Sequence, residues 1–275
     1  MRLVRFSLLI LLFAIHPGMM AQRSRIVVDT MTNLVDATVF PYSNIHPGDT
    51  ILFQPGNRSY LLIRNFQGQP GQSILFMNDK GVVSINTDHY YGIAFENCRF
   101  VRFTGTGHVP AFYGFMIQHV QNGAGLSLGK GTSDFEIDHI FIKDVPIGGI
   151  YAKSDPDCDF QYTREKFTQY NTVIHDNYLS NIGNEGLYIG STKYTGQTVN
   201  CNGKDTIMFP PLLKGVKIYN NIINFTGWDG IQISSAAENC QVYDNLVMYD
   251  SQAEMYGQMS GIMLGGGSKC DCFNN

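Results

Sequence analysis

The sequence predicts an all-β solenoid, a chain wound into stacked rungs of short strands. Three observations carry that reading. Four segments repeat one pattern, an apolar anchor followed by a Gly-apolar pair. They run from Ile137 to Gly149-Ile150, Ile174 to Gly186-Leu187, Ile218 to Gly230-Ile231 and, with a longer turn, Val242 to Gly261-Ile262. Inside each repeat, apolar residues alternate two or three at a time between turns of Asn, Asp and Gly. That is strand periodicity, in runs too short for helices. Finally, Asn177, Asn221, Asn245 and Asn275 all fall three residues after an anchor. Asn tolerates left-handed backbone and can bond the neighbours above and below, so this register predicts an internal Asn ladder at a tight bend. Ile140 holds the position in the first repeat, so the ladder is expected to start at Asn177.

Composition sets the outer bounds. The chain has 275 residues, 44% hydrophobic and 12% aromatic with only 15% charged, a balance that folds rather than one that stays disordered. The formal charge is -4 and Lys and Arg are dispersed, which argues against nucleic acid as a partner. No apolar run beyond the N-terminus approaches the roughly 18 residues of a membrane span, so no transmembrane segment is expected.

In chain order, residues 1–21 read as a signal peptide. Arg2 and Arg5 precede the apolar stretch Leu8 to Ile15, Pro17-Gly18 breaks it, and Ala21 offers a small residue at the cut. Export to a secreted or cell-surface location follows. Residues 22–132 contain IHPGDTILFQPG, GIAFENCRFVRFTGTG and GAGLSLGKG, which look like degenerate rungs. Residues 133–275 hold the regular ones, and the last begins as CDCFNN and stops in a turn. An open final rung exposes apolar core, so a fragment of a longer, C-terminally truncated solenoid is expected.

The repeats FEIDHIFIKDVPIGGIYAKS, TVIHDNYLSNIGNEGLYIGS and VKIYNNIINFTGWDGIQISS resemble those of the right-handed parallel β-helix proteins, the pectate-lyase-like superfamily of extracellular polysaccharide enzymes. The resemblance covers residues 133–275 and is weaker before them. It implies that substrate lies along the groove beside the strand following each Gly-apolar pair. Alternation there puts Ile150, Leu187, Ile231 and Ile262 inside and Tyr151, Tyr188, Gln232 and Met263 outside in one row. Two exposed Tyr one rung apart could form a sugar-stacking platform, or simply stabilise the solenoid.

Glu185 and Asp229 precede the pair in consecutive rungs, about 4.8 Å apart in backbone. Carboxyls that close share a proton, hold a cation, or act as general acid and base in glycoside hydrolysis; they also serve as simple turn residues. Trp228, the single Trp, belongs to the same edge. Lys153, followed by Asp155 and Asp157, is a second candidate set: a Lys base for β-elimination from a uronate, with Ca²⁺ held by the two carboxylates. Lys in a loop is otherwise a solvated surface residue. His175, near the ladder, is expected to be structural.

Cys158 and Cys201 lie in insertions after groove strands on adjacent rungs, which predicts a disulfide between them. Cys240 and Cys270 match in register, yet their inward orientation predicts stacked free thiols. Two functions remain open: cleavage of an extracellular polysaccharide, or a non-catalytic surface β-helix for glycan binding or adhesion.

Overall fold

The computed structural model describes residues 23–275, so the leader expected at residues 1–21 lies outside the described residues. Three all-parallel sheets run along the molecule. The first has nine strands: Arg25–Val28, Thr50–Phe53, Ile74–Asn78, Arg99–Thr104, Ser133–Asp138, Thr168–His175, Leu212–Tyr219, Ala236–Tyr243 and Cys270–Phe273. The second has seven: Gly56–Arg58, Val83–Thr87, Phe115–Val120, Ile140–Val145, Tyr178–Ile182, Ile222–Thr226 and Leu246–Met248. The third has eight: Leu34–Asp36, Leu61–Arg64, Tyr91–Glu96, Ala124–Gly129, Ile150–Ala152, Leu187–Ile189, Ile231–Ile233 and Ile262–Leu264. Each complete rung visits the sheets in that order, so every strand of these sheets pairs with the strand one rung away. The fold is a parallel β-helix.

Inward residues of all three sheets meet in one continuous apolar column, from Val28 to Val242. The register is that of the repeat: Ile150, Leu187, Ile231 and Ile262 align directly, as do Tyr151, Tyr188, Gln232 and Met263. The recurrent glycine has a steric cause. A Cβ at Gly186 would lie 2.6 Å from the Gly230 carbonyl and 2.5 Å from Ile223 Cγ2, and one at Gly149 would meet the Gly186 carbonyl at 2.4 Å. Neighbouring rungs approach too closely there for any side chain.

The bend between the first and second sheets carries the ladder. Asn177 donates from its amide nitrogen and Nδ2 to Asn221 Oδ1 (3.2 and 3.0 Å), Asn221 does the same to Asn245, and Asn245 to Asn275. Each Nδ2 also donates to a carbonyl of the preceding rung, from Ile137, Ile174 and Ile218. The ladder starts at Asn177, whose Oδ1 accepts the Ile140 N–H at 3.0 Å. Outside the bend, His175, Tyr219, Tyr243 and Phe273 stack with centroids 4.5–5.1 Å apart, which makes His175 part of a structural column.

Loops leave mainly after third-sheet strands. Two residues separate Ile233 from Ala236, whereas the connection after Ile189 holds a hairpin, Gln197–Cys201 against Lys204–Met208. The Cys158–Cys201 disulfide joins that hairpin to the preceding loop, with Cα atoms 5.5 Å apart. A second disulfide corrects the expectation of free thiols: Cys240 and Cys270 are bonded, with Cα atoms 4.4 Å apart. They are direct partners on neighbouring parallel strands, and that pairing brings the sulfurs within bonding reach even where one is buried.

Candidate functional site

The glycine column positions the site. Because Gly149 and Gly186 donate their N–H groups to the Glu185 and Asp229 carbonyls (3.0 and 3.1 Å), the two acidic residues are held one above the other at the mouth of the third sheet. Both are buried, Glu185 at 2% and Asp229 at 0% exposure. Glu185 Oε2 accepts the Tyr151 hydroxyl at 3.1 Å. Asp229 Oδ1 accepts the Ser260 N–H at 2.8 Å, and Oδ2 accepts Gln232 Nε2 at 3.1 Å.

Burial raises the Glu185 carboxyl above the ordinary carboxylate value, and the Asp229 charge raises it further; hydrogen bonding and Lys153 oppose this. Asp229 is raised as well, first by burial, against the Ser260 N–H and with help from Asp250. Burial and the Glu185 charge push the Tyr151 phenol far up, so it remains a donor. The pair thus favours holding a proton, with Glu185 feeling the second charge.

Lys153 Nζ lies 2.8 Å from Asp155 Oδ2 and 4.7 Å over the Tyr188 ring. Tyr151 and Tyr188 meet edge to face, centroids 5.2 Å apart at 86°, and the Tyr188 hydroxyl bonds Thr192 Oγ1 at 2.8 Å. The two rings are therefore not one flat platform. Gln232, 1% exposed, reaches Gln258 Oε1 (2.9 Å) and Met263 Sδ (3.2 Å) through Nε2, while its Oε1 has no partner. Trp228 is half-buried, and its backbone N–H donates to the Asn184 carbonyl at 3.1 Å, one rung away.

Of the residues expected from sequence, Glu185, Asp229, Tyr151, Tyr188, Gln232 and Lys153 stand on three consecutive rungs of one sheet. Asp155 joins them through Lys153. Asp157 is exposed in its own loop and accepts the Asp159 N–H at 3.1 Å. One carboxylate of this pair thus faces Lys153 and the other its own loop.

Among the described residues, the grouping with metal-ligating spacing lies elsewhere: Glu136, Asp138 and His175 on the first sheet. Arg102 Nε already sits 3.2 Å from Glu136 Oε1 and 2.9 Å from Asp138 Oδ2, and His175 Nδ1 faces Asp176 at 2.6 Å. Arg102 thus already bonds both carboxylates of this group.

Sequence reasoning missed Gln258, which lies in the long insertion before the last third-sheet strand, the bond that Ser260 makes to Asp229 from the acids' own offset before Gly261, and the path of Arg164. Arg164 crosses to the hairpin loop, donating from Nη2 to the Tyr194 carbonyl at 2.6 Å and lying 4.4 Å over that ring. No signal in the residue pattern marks that crossing. No protein-family model matches the chain, and no curated protein matches it.

Proposed function

We propose that this is an exported protein of the pectate-lyase-like kind that acts on an extracellular polysaccharide along the outer row of the third sheet. The carrying observation is the register-paired carboxyl couple, Glu185 and Asp229, buried one rung apart and bonded to Tyr151, Gln232 and the Ser260 amide. Raised carboxyls near one another suit acid–base cleavage of a glycosidic bond. Glu185 would deliver the proton to the leaving oxygen and Asp229 would activate water, with Tyr151 and Gln232 holding the two groups in place. Lys153, with Nζ engaged by Asp155 and lying over the Tyr188 ring, suits contact with an acidic sugar, and the buried carboxyl couple favours hydrolysis over β-elimination. Tyr188 and Trp228 supply aromatic edges to the groove. Two disulfides support residence in an oxidising compartment.

The test is incubation with a panel of neutral and acidic polysaccharides, following new reducing ends and the absorbance of unsaturated uronates. Reducing ends without unsaturated product are expected, with turnover lowered about 100-fold or more in Glu185→Gln or Asp229→Asn. Full activity in the double variant would sink the assignment. A second reading, glycan binding without cleavage, is favoured by one observation: both carboxyls are almost wholly buried and already satisfied by protein partners. Retention of a polysaccharide with no cleavage of any member of the panel would select it.

A further inference from the structure

We propose that the gap where the second sheet begins is a binding groove for an acidic saccharide, built around Arg58. The first rung contributes a strand to the first sheet, Arg25–Val28, and one to the third, Leu34–Asp36, but none to the second. Residues 29–33 pass instead as a loop, and the strand Gly56–Arg58 is left as a sheet edge. The space the absent strand leaves is a groove of about 510 Å³, within the range of small-ligand sites. Its rim is hydroxyl and amide: Thr30, Asn57, Ser84, Asn86 and Gln118, with Met31 as the single large apolar side chain.

Arg58 lines this groove and is 4% exposed. Nη1 donates to the Thr32 carbonyl at 3.0 Å, Nη2 to those of Val28 (3.0 Å) and Gln54 (3.4 Å), and the guanidinium lies 5.5 Å from the Phe53 ring centroid. The Nε–H is buried and has no acceptor. Among the described residues no carboxylate comes within ion-pair distance of it. Asp29 acts on it only from farther off, and Asp29 Oδ1 already accepts the Met31 and Thr32 N–H groups and the Thr32 hydroxyl. A buried Arg is almost always paired with an acid. Here the positive charge is complete and the anion is missing, which a carboxylate or sulfate on a ligand would supply. The neutral rim suits a hydroxyl-rich molecule, so the ligand class is an acidic sugar. This site lies on a different sheet from Glu185 and Asp229 and does not depend on their role.

The experiment is calorimetric titration of the protein with a galacturonate trisaccharide, a sulfated galactose trisaccharide and a neutral galactose trisaccharide. At least one acidic probe is expected to bind about 10-fold or more tightly than the neutral one; whichever acid binds more tightly names the charged group. Because Arg58 also ties three carbonyls, Arg58→Gln alone would not separate binding from folding. Ser84→Trp fills the groove from the outward face of its strand and should weaken binding about 10-fold or more in a normally folded protein. Binding should persist in Glu185→Gln/Asp229→Asn. Equal affinity for acidic and neutral probes, no saturable binding of any probe, or unchanged affinity in Ser84→Trp would overturn the proposal. Binding that survives Ser84→Trp but is lost in the double carboxyl variant would place the ligand on the third sheet instead, overturning the groove and supporting the reading above.

Discussion

The rungs before residue 133 and those after it solve one packing problem in two ways. The early core is built from interlocked rings: Phe76 meets Phe66 and Phe95 edge on at 5.1 and 5.6 Å, and Phe103 meets Phe95 and Phe115 at 5.4 and 4.2 Å. Past Phe135 the later core is aliphatic, with Ile137, Ile174 and Ile218 in one register and Ile150, Leu187 and Ile231 in another. The bends differ in the same way. Asn78 joins just two rungs, accepting the Gly107 N–H of the next one and donating to the Gly81 carbonyl of its own, whereas the later bend is a chain of four Asn. Interlocking rings join rungs without needing one residue at a fixed offset, and so leave no sequence period. A ladder demands the same residue at the same offset, and it is that demand which makes a repeat readable.

The sharpest way to test the contrast is to break each bend. Asn221→Ala removes a residue that accepts from Asn177 and donates to Asn245 and the Ile174 carbonyl, leaving several buried partners unmet. A loss of about 3–5 kcal/mol in denaturant unfolding is expected, against about 2–3 kcal/mol for Asn78→Ala. Equal losses would show that the ladder gains nothing from being continuous.

Next in size is the Cys240–Cys270 bond, which ties the last strand to the later rungs. Cys240→Ser should lower stability by about 3 kcal/mol under oxidising conditions, leaving a difference well below that once wild type is reduced. An identical unfolding midpoint in the oxidised proteins would remove the disulfide from the account.

Acid titration separates the two regions by sign. Asp36, in an early rung, is held well below the usual carboxylate range by Asn65, the Thr38 amide and Arg64, which outweigh its burial. A depressed carboxyl adds stability above its unfolded value near 3.8 and loses it as pH falls through the folded one. Asp36→Asn should therefore cost about 2 kcal/mol at neutral pH and progressively less below about pH 3. Glu185 is raised, so its contribution is fully present below its unfolded value near 4.5 and is lost as pH rises through the folded one. Glu185→Gln should accordingly raise stability by about 1 kcal/mol at neutral pH and leave it unchanged near pH 3. Thermal melts across pH 2–8 read both; slopes of the same sign in the two variants would contradict the assignment.

The later rungs, the ladder and the carboxyl couple were legible because register is written in offsets: three residues from anchor to Asn, one from acid to Gly. Cys240–Cys270 was misread because inwardness was weighed above register, although strand pairing alone places those two Cα atoms opposite each other. Ser260 stands at the acids' own offset, one residue before Gly261, but carries no carboxyl to draw notice; Gln258 escaped because the insertion that holds it follows no period and only folding returns it to Gln232. Arg58 was invisible for another reason. A strand that is missing leaves no residue to count, and NRS reads as any polar turn.

The glycine column divides the coil into a fixed seam and a free one. At the seam, a side chain added at Gly149 or Gly186 would press on the carbonyl of the next rung, and the turn entering the third sheet is short in every rung but the last, where it lengthens between Met248 and Ile262. At the exits of the same sheet, connections range from two residues to a cross-linked hairpin while the pitch stays constant. Most of the added chain in this molecule therefore gathers on the exit side of the groove, and the acids stand on the side where close backbone packing holds the rungs together.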